Sequence, residues 1–214
     1  RFRRRLALRA TVPAQAVAAA WREPVTTLWL GRKAHLVHYP MRGGEVVNII
    51  AIVGHGTEVR GWDTPAGGDT ALRHFRRWCA PARELLDAVP AWRTWSLYDL
   101  APFQPWGRGP VTLVGDAAHP MLPFLAQGGA MAIEDAGVLA LCIARSPDDL
   151  ATAFRAYEDD RYARTARATA AAARNGAIYH LPAPLSSARN VVMRSLGGGR
   201  LRARYDWLYD WRDA

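Results

Sequence analysis

The sequence contains a single lysine, Lys33, and only two cysteines, Cys79 and Cys142. Neither cysteine has the Cys-x-x-Cys or Cys/His spacing of a zinc site or a disulfide framework, so we predict no metal site and a reducing, cytoplasmic compartment. The longest apolar runs, at 46–53 and 138–144, are far shorter than the roughly 20 residues of a membrane span. The sequence therefore predicts no membrane partner.

The composition is that of a globular protein: 50% of the 214 residues are hydrophobic and 22% are charged. This excludes a disordered chain and allows one domain or two small ones. The formal net charge is +9, and arginines spread along the chain carry it. None of the usual nucleic-acid motifs is present, so we expect no nucleic-acid partner. A basic nucleic-acid-binding module stays an alternative, and it predicts an affinity that falls steeply with salt.

The first part of the chain is predicted to form an antiparallel hairpin. Residues 25–53 contain two β-rich runs separated by Arg42-Gly43-Gly44, where the glycines can take positive φ. A helix is predicted from about Asp69, whose carboxylate would cap it. A further strand is predicted at 94–100.

The second part is predicted to be helical after one buried strand. Residues 111–115 are uniformly apolar, which is typical of a strand covered on both faces. A helix is predicted over 128–145, and another should follow Pro147 with Ser146 as its cap. The last forty residues are expected to be irregular, with an aromatic tail that packs as a lid.

Residues 111–136, VTLVGDAAHPMLPFLAQGGAMAIEDA, contain the most informative pattern. Asp116 would stand at the end of the apolar strand, where a carboxylate can accept hydrogen bonds from ligand hydroxyl groups. Gly128 and Gly129 leave room for a ligand to approach the backbone. The helix behind them would direct free N–H groups and its positive dipole end at that ligand. A group that is anionic, or becomes so, would be stabilised there.

The run from Gly115 to Ala136 resembles the second FAD-binding motif of the flavin-dependent aromatic hydroxylases of the p-hydroxybenzoate hydroxylase fold. The closest resemblance is to the branch that contains salicylate hydroxylases, 3-hydroxybenzoate 6-hydroxylase and 6-hydroxynicotinate monooxygenase. Other stretches resemble the same branch, namely ATVPA at 10–14, HLVHYPMRGG at 35–44, NGAIYHL at 175–181 and RYDWLY near the end. The resemblance thus covers nearly the whole chain.

The resemblance implies an α/β (α+β) fold. Residues 1–105 would form part of a substrate domain, with an antiparallel sheet and a helix. Residues 106–214 would form the C-terminal part of the FAD-binding domain with a helical tail. Complete members begin with a GxGxxG loop that holds the ADP half of FAD, and this sequence contains none. We therefore expect a C-terminal portion, whose missing half is lost, removed or supplied by another chain, and homo-oligomer formation stays open.

The resemblance also implies the cofactor site. Asp116 would bind the ribityl chain of FAD, the loop 119–124 would lie over the isoalloxazine ring, and the start of the helix would offer N–H groups to its pyrimidine edge. For His119 we favour a side chain that hydrogen-bonds the loop into shape, and for Glu134 and Asp135 ion pairs with arginines. The implied cofactor-binding set is Gly115, Asp116, His119, Pro120, Pro123, Gln127, Gly128, Gly129 and Ala130.

The strand around HLVHYP supplies candidate substrate residues. Its alternation predicts that His35 and Tyr39 share one face, whereas His38 lies on the other. The resemblance implies that His35 deprotonates a phenol as general base and that Tyr39 is its hydrogen-bonding partner. We expect His38 to be structural. Pro123 stands where some relatives carry a polar ring contact, so their regiochemistry is not transferred.

These residues lead to a functional hypothesis. The chain, or the protein of which it is a portion, is predicted to be an FAD-dependent monooxygenase that hydroxylates a small aromatic acid. NADH or NADPH would reduce FAD, and O2 would react through a flavin hydroperoxide in a dry pocket. The alternative is a truncated remnant without catalysis, which acts only as a folded or partner-dependent domain.

Overall fold

A computed structural model of the protein describes residues 1–212, apart from the side chains of Thr70 and Ala71. Residues 2–97 and 178–188 form one unit, here called the sheet unit. Arg1, residues 98–177 and the chain from Arg189 onward form a second, here called the helical unit. The predicted division into domains 1–105 and 106–214 stays a prediction, and the observed units differ from it because 178–188 belongs with the sheet.

The sheet unit is built on a six-stranded sheet with the order β2-β3-β4-β1-β6-β5. The pairs β1/β4, β2/β3, β3/β4 and β5/β6 are antiparallel. β4 lies between β3 and β1, and all of its residues are buried or half-buried. The strands are β1 (Phe2–Pro13), β2 (Thr27–Gly31), β3 (Ala34–Met41), β4 (Val46–Gly54), β5 (Thr64–Ala66) and β6 (Trp92–Tyr98).

The predicted hairpin is confirmed as β3 and β4, and β2 extends it by one strand. Gly43 and Gly44 turn the chain at φ of 65° and 96°, a region that side chains with a Cβ disfavour. Both β3 and β4 keep the alternation of faces that the sequence predicts, because register is fixed once one face is buried.

Two helices, α1 (Gly68–Phe75) and α2 (Ala80–Asp87), pack on one face of this sheet. The expectation that Asp69 caps α1 is wrong: Gly67 is the N-cap and no side chain bonds there. Asp69 lies inside the first turn, where its charge still faces the positive helix end. The shared core includes Leu6, Leu8, Leu36, Ile49, Phe75, Leu85 and Leu86.

The other helices are α3 (Gly128–Arg145), α4 (Leu150–Tyr179), α5 (Leu185–Ala203) and α6 (Asp206–Tyr209). The structure confirms the helix predicted at 128–145. The cap predicted before α4 is wrong, because Asp149 rather than Ser146 accepts the Thr152 N–H, at 3.1 Å. The expectation of an irregular last forty residues is also wrong, since alanine-rich α4 and then α5 continue the helical structure.

The strand predicted at 111–115 is not formed. Val111 makes one isolated bridge to Arg108, and Gly115 already begins a short 3-10 turn. Val111 and Val114 are exposed, at 61% and 37%. An apolar run becomes a strand only where neighbouring strands complete its hydrogen bonds, and in residues 1–212 none pairs with it beyond that bridge. None of the helices described over 1–212 has the length and apolar character needed to cross a membrane.

Candidate flavin and substrate sites

A sharp turn at Gly115 presents Asp116 in the helical unit. Gly115 has a φ of +61°, and a Cβ on it would lie 3.1 Å from the Ala132 Cβ atom. Its carbonyl accepts the N–H groups of Ala118 and His119, both at 2.9 Å. Glycine is therefore required at this position for two reasons, backbone conformation and close packing. The turn leaves the Asp116 side chain exposed.

The first turn of α3 opens beside this carboxylate. A Cβ on Gly128 would lie 3.6 Å from the Asp116 Oδ1 atom, and one on Gly129 would meet nothing within 4 Å. No side chain caps α3 at Gln127, and the first bond within the helix runs from Met131 N–H to the Gln127 carbonyl. The N–H groups of the first turn are thus directed away from the helix.

This arrangement fits a flavin chemically. An exposed carboxylate accepts hydrogen bonds from hydroxyl groups, and an uncapped helix start stabilises negative charge. Of the predicted cofactor set, Gly115 and His119 are buried and Pro120, Gln127 and Gly128 are half-buried. The exposed members are Asp116, Pro123, Gly129 and Ala130.

A buried network centred on Asp135 fixes the turn to α3. Its Oδ2 atom accepts the Gly115 N–H at 3.0 Å and lies 2.6 Å from His119 Nε2, while Oδ1 accepts Arg161 Nε–H at 2.7 Å. Burial opposes ionisation, but the hydrogen bonds from His119, Arg161 and Gly115 lower the pKa of Asp135. The side chain of His119 therefore orders the loop, which supports the interpretation preferred from the sequence.

Glu134 continues the network toward the C-terminus. It bonds Arg161 and Arg164, each at 2.7 Å, and these bonds outweigh burial and lower its pKa. Arg164 also donates to the carbonyls of Trp207 and Leu208. The ion pairs predicted for Glu134 and Asp135 are thus confirmed. They connect α3, which follows the loop 119–124, to the aromatic tail.

The second candidate site lies on β3 in the sheet unit. His35 pairs with Ile52 and Tyr39 with Asn48 on β4, which places His35 and Tyr39 on the same face, as predicted. His35 is only 3% exposed, whereas Tyr39 is half-buried. The two residues therefore share one face of β3, with Val37 between them.

The His35 ring is held by the last residue of α4 and the residue that follows it. Its Nδ1 atom lies 2.7 Å from Nε2 of His180, and the Tyr179 ring meets it edge-on. Burial, followed by the charges of His180 and Arg5, lowers the pKa of His35 to about 3. His35 is therefore neutral at pH 7, the state in which a base can accept a proton. An anionic ligand nearby would raise its basicity.

His38 occupies the opposite face of β3. Its Nδ1 atom accepts the Trp29 Nε1–H at 3.0 Å, and the Trp21 ring packs edge-on against it. Burial lowers its pKa. The structure confirms the structural role that the sequence predicts for this residue.

Sequence reasoning assigned no role to His180 or Asn48. His180 lies in the NGAIYHL run, so the resemblance already marked its surroundings. Asn48 interrupts an apolar run, accepts the Arg9 Nε–H at 3.3 Å and is 1% exposed. Among the described residues its Nδ2 group has no partner. In that same part of the chain, no three His, Cys, Asp or Glu side chains are grouped to hold a metal ion.

Comparison with known proteins assigns the family. Residues 7–172 match the FAD binding domain family, and the chain belongs to that family. FAD is accordingly the cofactor that the family assigns to the chain.

Two of the similar proteins are named as hydroxylases, and a third was solved with FAD. The chain is 35% identical over 206 residues to 3-hydroxybenzoate 6-hydroxylase of Klebsiella oxytoca, covering 96% of this chain and 52% of that protein. A salicylate hydroxylase substrate complex has the same fold, with a TM-score of 0.81 and 23% identity. The match covers 99% of this chain and 55% of that one. HpxO of Klebsiella pneumoniae, solved with FAD and uric acid, gives a TM-score of 0.78 and 26% identity. The match covers 94% of this chain and 51% of that one. The chain spans about half the length of these relatives.

Proposed function

We propose that this chain forms the C-terminal portion of an FAD-dependent monooxygenase that hydroxylates a small aromatic acid. The cofactor would be held by Asp116 and the first turn of α3, and the substrate would bind on the His35 face of β3. Hydroxylation, as distinct from other flavin chemistry, is carried by one observation: a buried, neutral histidine shares a strand face with a tyrosine.

In the proposed flavin site, a carboxylate and the N–H groups at the start of α3 would bind the cofactor. The Asp116 carboxylate would accept hydrogen bonds from the ribityl hydroxyl groups. The N–H groups of Gly128, Gly129 and Ala130 would stabilise the negative charge that a reduced flavin carries at its pyrimidine edge. When bound, FAD supplies the transfer of two electrons from NADH or NADPH to O2. His119 would contribute through the loop that it orders, together with Pro120 and Pro123.

His35 would prepare the substrate. A phenol is a poor nucleophile until its proton is removed, and a neutral imidazole can take that proton. Tyr39 would hydrogen-bond the same substrate. Overall, one oxygen atom of O2 enters the ring and the other leaves as water, with two electrons and a proton from NAD(P)H and one further proton.

The substrate class follows from the relatives and from charge. One matched protein is named for 3-hydroxybenzoate and another for salicylate, so we propose a phenolic or hydroxypyridine acid. The formal charge of +9 favours an anion. A cytoplasmic location, which supplies NAD(P)H, belongs to the same proposal.

The alternative is a remnant that folds, or pairs with a partner chain, without catalysis. These 214 residues contain no GxGxxG loop, so the alternative applies where no other segment or chain supplies the site of the ADP half of FAD. A second copy or a separate N-terminal half could be the partner.

One experiment separates the two functions. The protein is expressed with any coding sequence that precedes this chain, and its visible spectrum and its NAD(P)H oxidation are recorded with 3-hydroxybenzoate and salicylate. We expect a flavin spectrum and oxidation that the acid stimulates. A colourless protein that takes up no added FAD would favour the remnant.

A further inference from the structure

His35 and His180 are 145 positions apart in the sequence, yet their rings meet inside the sheet unit. The Nδ1 atom of His35 lies 2.7 Å from Nε2 of His180, with ring centroids 4.9 Å apart. The two residues are 3% and 8% exposed. The hydrogen bond between them is therefore shielded from water, where such a bond is strongest.

A single proton lies between these two nitrogens. A neutral imidazole has one N–H and one acceptor nitrogen, so one ring donates and the other accepts. Burial, followed by the charges of His180 and Arg5, disfavours a positive charge on His35, and the Tyr179 ring meets it edge-on. His35 is accordingly neutral, and its hydrogen bond with His180 bears on which nitrogen of His35 carries the proton.

We propose that His180 is a positioning residue for His35: its Nε2 atom accepts the Nδ1–H of His35 and so keeps the lone pair of His35 on Nε2. This inference rests on the proposed function, in which His35 takes the substrate proton. It extends that function, because a base is effective only when its tautomer and its orientation are fixed by a third group.

The proton balance is simple. The O–H bond of the substrate phenol breaks, an Nε2–H bond forms on His35, and the electron pair stays on the phenolate oxygen. His35 then carries N–H groups on both nitrogens, and its Nδ1–H still donates to His180. A neutral acceptor at that position stabilises the imidazolium. Without it, both tautomers of His35 become accessible.

The test compares two substitutions in the FAD-loaded protein, expressed with any preceding coding sequence. His180→Gln keeps an acceptor, because Oε1 of glutamine lies near the position of Nε2, whereas His180→Leu removes it. We expect His180→Leu to lower kcat for hydroxylation of 3-hydroxybenzoate or salicylate by about 10- to 100-fold, and His180→Gln by no more than about threefold, with FAD content unchanged.

A second readout does not depend on activity. Nitrogen-15 NMR of the histidine rings reports which nitrogen of His35 is protonated. We expect Nδ1–H in the natural protein and in His180→Gln, and a shift toward Nε2–H in His180→Leu. The matched control is His38→Leu, a buried histidine on the opposite face of β3, which should lower stability without altering the His35 tautomer.

The outcomes decide the inference separately from the proposed function. It is overturned if His35 carries its proton on Nε2 in the natural protein, or if His180→Leu keeps both the tautomer and kcat. The spectrum of the natural protein suffices if His180→Leu does not fold. A protein that binds no FAD and forms no product contradicts the proposed function, whereas the ring tautomer can still be read.

Discussion

The helical unit and the sheet unit bury polar groups in different ways. In the helical unit, opposite full charges neutralise one another: Asp135 pairs with Arg161, and Glu134 pairs with Arg161 and Arg164. In the sheet unit, the buried histidines on β3 are neutral: one hydrogen bond joins His35 to His180, and another joins His38 to Trp29. The ion network of the helical unit resists rearrangement, whereas the neutral histidines of β3 can exchange a proton.

The difference follows from what each region has to do. Removing one member of a buried ion network deprives its neighbours of a partner, so the network stabilises a single arrangement of the loop 119–124. A buried neutral histidine pays a smaller desolvation penalty and keeps a lone pair for chemistry. We expect substitutions in the helical unit to act mainly on stability and cofactor binding, and those on β3 to act mainly on turnover.

The largest effect is expected for Asp135→Ala. It removes one of the two carboxylates that bond the buried Arg161 guanidinium, together with the acceptor of the Gly115 N–H, so the free energy of unfolding should fall by about 3–5 kcal/mol. Urea denaturation measures the loss. As a control, Asp63→Ala breaks an exposed bond to Arg93 and should change stability little. Equal stability of the two variants would mean that the Asp135 network does not fix the loop.

The next effect concerns turnover. His35→Ala should lower product formation about 100- to 10,000-fold, the usual contribution of a positioned base, while FAD remains bound. Product is measured by chromatography alongside NAD(P)H oxidation. Unchanged product formation would show that His35 is not the base. It would also contradict the expectation that substitutions on β3 act mainly on turnover.

The third prediction addresses the flavin site. Asp116→Ala removes a charged acceptor and should weaken FAD binding about 10- to 100-fold, since hydrogen bonds to charged groups contribute roughly 1.5–3 kcal/mol. Fluorescence titration of the flavin-free protein gives the affinity. Asp148→Ala, an exposed carboxylate in the turn before α4, is the matched control. If both variants bind FAD like the natural protein, Asp116 is not a ligand.

A smaller effect is expected from paired glycine substitutions. Gly115→Ala forces a side chain into positive φ and against Ala132, which should cost about 1–2 kcal/mol of stability. Gly129→Ala meets nothing within 4 Å and lies in a helix, so it should stabilise the fold slightly. Thermal unfolding distinguishes them, and equal effects would contradict the tight turn.

The smallest predicted effect is on the pH dependence of stability. The pKa of His35 is lowered to about 3 in the folded protein from its ordinary 6.5, so the unfolded chain binds more protons between these values. The stability that His35 contributes is complete above pH 6.5 and is lost as pH falls. Between pH 6.5 and 5.5 the loss is below about 1.4 kcal/mol. Urea unfolding of His35→Gln should show a flatter profile, and an unchanged profile would contradict the neutral state.

Features that depend on residues close together in the sequence could be predicted from local patterns. The helix α3 and the turn at Gly43 and Gly44 follow from glycine chemistry and periodicity, so the sequence predicts them well. The two faces of β3 follow from alternation alone. The cap of α4 was misplaced by three residues because Ser146 and Asp149 are both good capping residues, and only the hydrogen bond to Thr152 distinguishes them.

Contacts across long separations could not be predicted. Nothing in the sequence brings His180 to His35, because the chain between them passes through both units. The run 111–115 failed as a strand for a similar reason: its partners, not its own residues, decide whether a ladder forms. The sequence predicted that Glu134 and Asp135 would pair with arginines. Which arginines they contact depends on how α4 packs against α3, and the sequence did not show this.

Isotope incorporation tests the central claim most directly. The protein, expressed with any preceding coding sequence and loaded with FAD, is supplied with NAD(P)H, ¹⁸O2 and 3-hydroxybenzoate or salicylate. We expect one labelled oxygen atom in the aromatic ring of the product, and at least about 100-fold less labelled product when His35 is replaced by alanine in protein that retains its flavin. Flavin-loaded protein that oxidises NAD(P)H but never labels the ring would contradict the account.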